Sequence, residues 1–252
     1  MSGTKRHRAI IGLLHQHWGL RVSRLADELG VSEATIRRDL LQLEREGVLR
    51  REHGRAVSQL GQTRGIPFRL REIDSAPTKG LLAAAVATTI KDGETVALDS
   101  GTTCLAVARE LAGRPLTVMP LSVQGIRALN GHRGTELIVP GGSVRQEEGA
   151  IVGPLADASI KSVRFDAAVI APFGAEAKHG FTAFDVQDAT TKRHVLDASK
   201  RSVFVVEGAA FSRLGHAAIC PMSAIDILVT DSGAPVEILS SLRSEGVEVI
   251  VA

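Results

Sequence analysis

The run Asp166-Ala167-Ala168-Val169-Ile170 is apolar at successive positions after its first residue, not at alternate ones. A strand with one wetted face alternates apolar and polar side chains, so a run apolar on both faces belongs inside a sheet covered by helices on either side. From Lys79 onward the chain repeats that logic. Helical patterns at Lys79–Lys91, Cys104–Leu111, Val123–Leu129, Leu155–Ser162, Asp188–Ser199 and Pro235–Glu245 alternate with short β-rich runs. Those runs fall at Thr95–Asp99, Leu116–Met119, Glu136–Val139, Asp166–Ala171, Ser202–Glu207, Ile225–Thr230 and Glu248–Val251. The expected fold class is α/β, a Rossmann-like domain with a mostly parallel sheet.

The first 57 residues follow a different period. Ile10, Ile11, Leu14 and Trp18 recur at helical spacing, and so do Val22, Leu25, Ala26 and Leu29. Gly30 supplies a residue able to take positive φ, Val31 can plug a core, and Ser32 suits the N-cap of a third helix. In that helix Ile36, Leu40 and Leu43 form the inner stripe, Gly47 is the expected stop, and Glu33, Ala34, Thr35, Arg37 and Arg38 are left outside. Val48–Arg51 and Ala56–Gln59 read as two strands around Glu52-His53-Gly54-Arg55, a hairpin or wing. From Ser58 to Thr78 no period is sustained, and Gly61, Gly65, Pro67 and Pro77 punctuate the stretch. The expected organisation is a small winged helix-turn-helix domain over 1–57, a linker over 58–78 and an α/β domain over 79–252.

Composition narrows the class. With 44% hydrophobic and 23% charged residues the chain has the balance of a folded globular protein. The longest apolar run, near Leu81–Ile90, falls short of the ~20 residues of a membrane-spanning helix. Lys5–Arg8 followed by Ile10–Leu14 imitates a signal peptide, but His15, Gln16 and His17 cut it short, so a cytoplasmic protein with no membrane partner is expected. Cys104 and Cys220 are far apart and lack neighbours at ligand spacing, so buried, inert thiols are expected, with no metal and no cofactor. Through Arg71 there are 14 Lys and Arg against 7 Asp and Glu, leaving 16 of the 30 cations and 21 of the 28 anions for the rest. A basic module joined to a mildly acidic one is expected where only the first meets a phosphate backbone.

A helix can place its N-terminal half against base edges in the major groove while basic side chains grip phosphates. Ser32 and Thr35 can bond phosphate or base, and Arg37 and Arg38 can fork to guanine or phosphate. Asp39 is read as orienting an arginine. In the wing, Arg50, Arg51, His53 and Arg55 can reach the backbone or a minor groove. On these residues alone, a helical hairpin with solvated arginines remains open. The run Val22-Ser23-Arg24-Leu25-Ala26 through Val31-Ser32-Glu33-Ala34-Thr35-Ile36-Arg37-Arg38-Asp39-Leu40 to Leu43-Glu44-Arg45-Glu46-Gly47 resembles the signature of the DeoR family of bacterial repressors. Leu49-Arg50-Arg51-Glu52-His53-Gly54 is similar to that family's wing, with Arg55 where a second glycine is usual. The resemblance implies a transcriptional regulator, not an enzyme, with a double-stranded DNA operator as partner.

In the larger domain, Thr95–Asp99 runs into Ser100-Gly101-Thr102-Thr103 and then a helix. Gly101 lets the backbone approach closely, and helix-start amides and two threonine hydroxyls add donors, which suits an anion. Gly141-Gly142 follows another strand, at the end where open α/β sheets bind ligands. A plain helix cap explains the first motif equally well. The DeoR-type effector domain, similar in fold to ribose-5-phosphate isomerase and CoA transferases, carries such a loop and glycine pair, and the likeness runs along most of Lys79–Asp231. It implies a phosphorylated sugar or related metabolite as effector, with Ser100–Thr103 on the phosphate, Asp99, Gly141 and Gly142 bordering the sugar, and Lys192 or Arg193 supplying charge. It also implies a homodimer or higher oligomer.

Three segments depart from that pattern. Met119-Pro120-Leu121-Ser122 stands where Thr-Asn-Ser is usual, and Ala171-Pro172-Phe173-Gly174 replaces a small glycine-rich turn. Val206-Glu207-Gly208-Ala209-Ala210-Phe211 replaces an Asp-Ser-Ser-Lys-Phe run, leaving Ala210 in place of a lysine. Without that ammonium, phosphate binding is weaker by about 1.5–3 kcal/mol, and Glu207 works in the same direction. Two other readings stay open: a sugar-phosphate isomerase or transferase using Asp166, Asp185 or Glu147 as base, and a regulator whose large domain only oligomerises.

Overall fold

In the computed structural model, which describes residues 3–16, 19–45, 49–52, 55–58, 68–73 and 75–252, the chain divides into two units, Met1–Asp74 and Ser75–Ala252. The first holds α1 (Gly3–Gln16), β1 (Gly19–Arg21), α2 (Val22–Leu29), α3 (Glu33–Arg45), β2 (Leu49–Glu52), β3 (Arg55–Ser58) and α4 (Phe68–Ile73). The α2–α3 turn follows from Gly30, at φ 62° and ψ 38°. From there the Gly30 amide reaches the Asp27 carbonyl and the Val31 amide reaches that of Ala26, satisfying carbonyls the helix end leaves bare. Ser32 opens α3: its Oγ accepts the Thr35 amide at 3.2 Å. Ile36, Leu40 and Leu43 turn inward onto Ile10, Leu14, Leu25 and Leu49, all buried.

The wing is an antiparallel sheet in the order β1-β3-β2. Its first strand is not legible in the sequence, because three residues are too few to display a period of two. Trp18, Gly47, His53 and Gly54 lie outside the described residues. So do 59–67. Within the rest of the 58–78 stretch, where no period is sustained, α4 is found, and α5 (Ala76–Thr89) begins. A six-residue helix shows no sustained periodicity. Pro77, expected to be a breaker, stands in the first turn of α5, where a missing amide costs nothing.

The second unit continues with β4 (Thr95–Leu98), α6 (Thr102–Leu111), β5 (Leu116–Pro120), α7 (Val123–Leu129) and β6 (Thr135–Leu137). A short hairpin, β7 (Ser143–Val144) and β8 (Ile151–Val152), precedes α8 (Pro154–Lys161) and β9 (Ala167–Ile170). Then come β10 (Gly174–Glu176), β11 (Gly180–Ala183), α9 (Val186–Asp197), β12 (Ser202–Val206), β13 (Ala217–Cys220), β14 (Ile227–Thr230), α10 (Val236–Ser244) and β15 (Glu248–Val251). Seven strands form one sheet in the order β15-β14-β12-β9-β4-β5-β6, and every pairing in it is parallel. The antiparallel sheet β10-β11-β13 was not anticipated. Its strands are three or four residues long, too short to display a period of two.

Apolar residues at successive strand positions feed two cores. Ala168, Ile170, Phe204, Val206 and Leu228 face one side, with Ile160, Val195 and Leu239 and the second sheet's Phe181 packed on them. Ala167, Val169, Val203, Val205 and Val229 face the other, beneath Leu82, Val86, Val107 and Leu111. From β4 the chain builds outward through β5 and β6, then returns to lay β9 on the other flank of β4 and builds outward again. The strand order therefore reverses between β4 and β9, and open α/β sheets bind ligands at the carboxyl ends beside such a reversal.

Candidate nucleic-acid interface and effector crevice

The outer face of α3 presents Glu33, Ala34, Arg37 and Arg38, all exposed, with Thr35 half-buried beside exposed Ser32. Ser32 Oγ and Thr35 Oγ1 are 2.9 Å apart, and Arg37 donates to Glu33 Oε2 at 2.8 Å. Such an exposed i,i+4 pair is weak and easily exchanged for another anion. The inner face holds Asp39, buried, which accepts from Arg6 Nε at 2.5 Å and the same guanidinium's second nitrogen at 3.0 Å. His7 Nε2 lies 3.2 Å from the same carboxylate. Burial pushes the Asp39 carboxyl up, but Arg6 and His7 outweigh it and hold it below the usual range. The arginine that Asp39 orients is thus on α1 and not on its own helix. Arg50 and Arg51 lie in β2 and Arg55 opens β3, while His53 is outside the described residues.

At the sheet reversal, Asp99 directly follows β4. Its amide donates to the Val169 carbonyl in β9, its Oδ1 accepts the Ser100 amide at 2.7 Å, and its Oδ2 accepts the Ala171 amide at 3.1 Å. The side chain thereby bridges the two strands flanking the reversal. Lys192 of α9 reaches it at 3.2 Å and touches Asp188 Oδ1 at 2.5 Å, with Asp99 and Lys192 both almost fully buried. Burial, together with the Asp188 charge, pushes the Asp99 carboxyl up to about 6 against the pull of Lys192 and two backbone amides. Burial disfavours the Lys192 ammonium too, but Asp188 and Asp99 override it and raise its pKa. Ser100, Thr102 and Thr103 are buried, and Gly101 turns the chain into α6 at φ 100°.

Thr103 Oγ1 donates to Glu207 Oε1 at 3.2 Å, and Lys79 Nζ stands 3.6 Å from that oxygen. The structure thus brings Asp99, Ser100–Thr103 and Lys192 together. Lys79, Asp188 and Glu207 join them. Asp188 was legible as the i,i+4 partner of Lys192; the Glu207–Lys79 pair, 128 positions apart by number, was not.

The remaining candidates have other partners. Gly141 donates its amide to Ser159 Oγ at 3.0 Å. A Cβ on Gly142 would fall 2.8 Å from Ile151 Cγ2 and 2.9 Å from the Val152 carbonyl oxygen. Those neighbours lie on α8 and β8, not on the Ser100–Thr103 loop. Arg193 donates to the Ala218 carbonyl of β13 and to Thr190 Oγ1, tying α9 to the second sheet, while Lys192 faces Asp99. Asp166 accepts the Thr95 amide at 2.9 Å and Lys200 Nζ at 2.8 Å, at the amino ends of the strands and so at the edge opposite Asp99. Asp185 caps α9 through the Asp188 amide and pairs with Arg145 at 2.9 Å; Glu147 lies in the turn between β7 and β8.

Burial raises the pKa of the Cys104 thiol, with the Asp99 charge adding to it, and pushes that of Cys220 up to about 12, though Cys220 is only partly buried where full burial was expected. Among the described residues no cluster of three or more His, Cys, Asp or Glu has a metal-binding arrangement, and no helix is long and apolar enough to cross a membrane.

Residues 75–232 match the model of the DeoR C terminal sensor domain, and residues 6–60 match that of the DeoR-like helix-turn-helix domain. The chain belongs to the DeoR family. This DeoR-family chain is 31% identical over 235 residues to the transcriptional repressor AccR of Agrobacterium fabrum, covering 92% of this chain and 91% of that one. It is 28% identical over 249 residues to the glycerol-3-phosphate regulon repressor of Escherichia coli, covering 98% of both. Ribose 5-phosphate isomerase A of Methanocaldococcus jannaschii aligns with a TM-score of 0.41 at 14% identity, over 54% of this chain and 55% of that one. The protein is a DeoR-family transcriptional regulator, with a DNA-binding helix-turn-helix domain and a sensor domain.

Proposed function

We propose that the chain represses a carbohydrate catabolic operon as a cytoplasmic homo-oligomer, releasing its operator when a small molecule enters the crevice between β4 and β9. The observation that carries the DNA half is the division of α3: Ile36, Leu40, Leu43 and Asp39 inward, Ser32, Glu33, Ala34, Thr35, Arg37 and Arg38 outward. A helix so held can enter a major groove with its first two turns against base edges, and the wing residues Arg50, Arg51, His53 and Arg55 then follow the flanking backbone. Two copies of α3 on one oligomer would meet paired half-sites.

The effector half rests on Asp99, Ser100–Thr103 and Lys192 converging at the strand reversal, with Gly141 and Gly142 shaping the neighbouring hairpin and Arg193 holding the second sheet in place. Catalysis fits less well: Asp166 sits at the opposite edge and Asp185 is committed to a helix cap and Arg145. The decisive experiment titrates the full chain against its own promoter and against random duplex over a salt series. Preference for the promoter supports the reading, whereas equal affinity at every salt concentration sinks it.

A further inference from the structure

We infer that the cleft between α10 and the β10-β11-β13 sheet is a second small-molecule site, one that fits a zwitterion whose ammonium and carboxylate are held apart by an apolar spacer. The cleft measures about 600 Å³, within the range of small-molecule sites. None of the residues lining it belongs to the β4–β9 crevice, so neither reading depends on the other.

The floor of the cleft is the edge of the main core. Ile219, Met222 and Leu242 are buried there, and Cys220 and Ile238 pack against the same core while only half-buried. Burial pushes the Cys220 thiol up to about 12, so it stays protonated and the floor carries no charge. One wall is pinned by Gly180. At φ 74° it presses the β10–β11 turn onto the end of β13, where a Cβ would fall 2.3 Å from the Cys220 carbonyl oxygen. The other wall is α10, from Glu237 in its first turn to Glu245 at its C-cap, a length of about 12 Å at the helical rise per residue.

The ionic groups on the rim differ in what they already hold. His179 is paired with Glu176, and Glu245 accepts the Ser241 hydroxyl at 2.8 Å. Lys178 on the turn and Glu237 on the helix are exposed, and neither side chain has a partner among the described residues. A diacid entering the cleft meets Glu237, a diamine meets Lys178, and a plain hydrocarbon leaves both ions as they were. A zwitterion with an apolar spacer gives each ion its counter-charge and covers the apolar floor between them. Each exposed pair is expected to be worth about two- to fivefold in affinity.

Thermal unfolding of the full chain tests this with 4-aminobutanoate, 6-aminohexanoate and 8-aminooctanoate, each beside the simple carboxylate and the simple amine of the same length, with chloride at matched ionic strength as control. Expected is stabilisation of wild type by at least one of the three, with an apparent affinity about two- to fivefold above that of both its carboxylate and its amine. Lys178→Ala should remove the advantage over the amine, and Glu237→Gln the advantage over the carboxylate. Both side chains are exposed, so both variants should unfold at the wild-type temperature when no probe is present. An amine or carboxylate that stabilises wild type as well as the matching zwitterion overturns the inference. So does an advantage that survives both substitutions, and so does silence of wild type toward every probe.

Discussion

Asp39, on the inner side of the recognition helix, is clamped by the Arg6 guanidinium of the first helix through hydrogen bonds of 2.5 and 3.0 Å. The pair joins residues 33 positions apart, and Asp39 directly follows the exposed Arg37 and Arg38 on α3 while facing the other way. A buried carboxylate between two helices sets how α3 is rotated on its support, and hence which side chains face outward.

Removing that carboxylate leaves Arg6 and His7 without their shared acceptor. Asp39→Ala is expected to destabilise the N-terminal unit by about 1–3 kcal/mol, the cost of removing an acceptor from charged hydrogen-bond donors. Urea unfolding followed on that unit checks it, and a loss below about 1 kcal/mol would contradict the clamp. The pH dependence has a definite sign. Because the folded carboxyl lies below its ordinary value, its contribution is present above the unfolded value of about 3.9 and fades as pH falls through the lower folded one. Wild type should therefore lose stability on acidification in a window that Asp39→Ala lacks.

Arg37 and Arg38 stand on the opposite face, exposed to solvent. Their joint replacement by alanine should abolish promoter preference without changing unfolding temperature or oligomer size. For every phosphate no longer neutralised by an arginine, the dependence of log affinity on log salt should also flatten by about one unit. Gel-shift titration beside light scattering reads all of this. Retained preference would place DNA recognition elsewhere on the chain.

Gly142 combines a φ of 137° with no room for a side chain. Gly142→Ala must displace Ile151 or the Val152 carbonyl as well as accept a strained backbone, and a loss of about 1–3 kcal/mol in the sensor unit is expected. Calorimetry of that unit measures it. A neutral result would mean that the β7–β8 hairpin yields freely.

Asp99 responds to pH in the opposite sense to Asp39. Its folded carboxyl is pushed up to about 6, above the unfolded value of about 3.9. The protonated form is thus the one that folding favours, and its contribution is complete below the unfolded value and lost as pH rises through about 6. Titration of the Asp99 carboxyl by carbon-detected NMR should show a midpoint near 6. A midpoint near 4 would show that the crevice admits enough water to leave the group unperturbed.

Local chemistry was enough to specify the helix-turn-helix. Gly30 and Ser32 act on their nearest neighbours, and a stripe at Ile36, Leu40 and Leu43 selects the buried side of α3 wherever the helix docks. Successive apolar residues at 167–170 likewise demanded a sheet covered on both faces. Long-range geometry had to come from the packed structure: the Arg6 partner of Asp39, the strand reversal bridged by Asp99, and the Lys79 and Thr103 partners of Glu207 join residues whose spacing carries no period. Side chains brought together only by the packing of distant strands and helices leave no mark on either sequence neighbourhood. In the same way the packing of Ile151 and Val152 against Gly142 joins residues that no local pattern pairs.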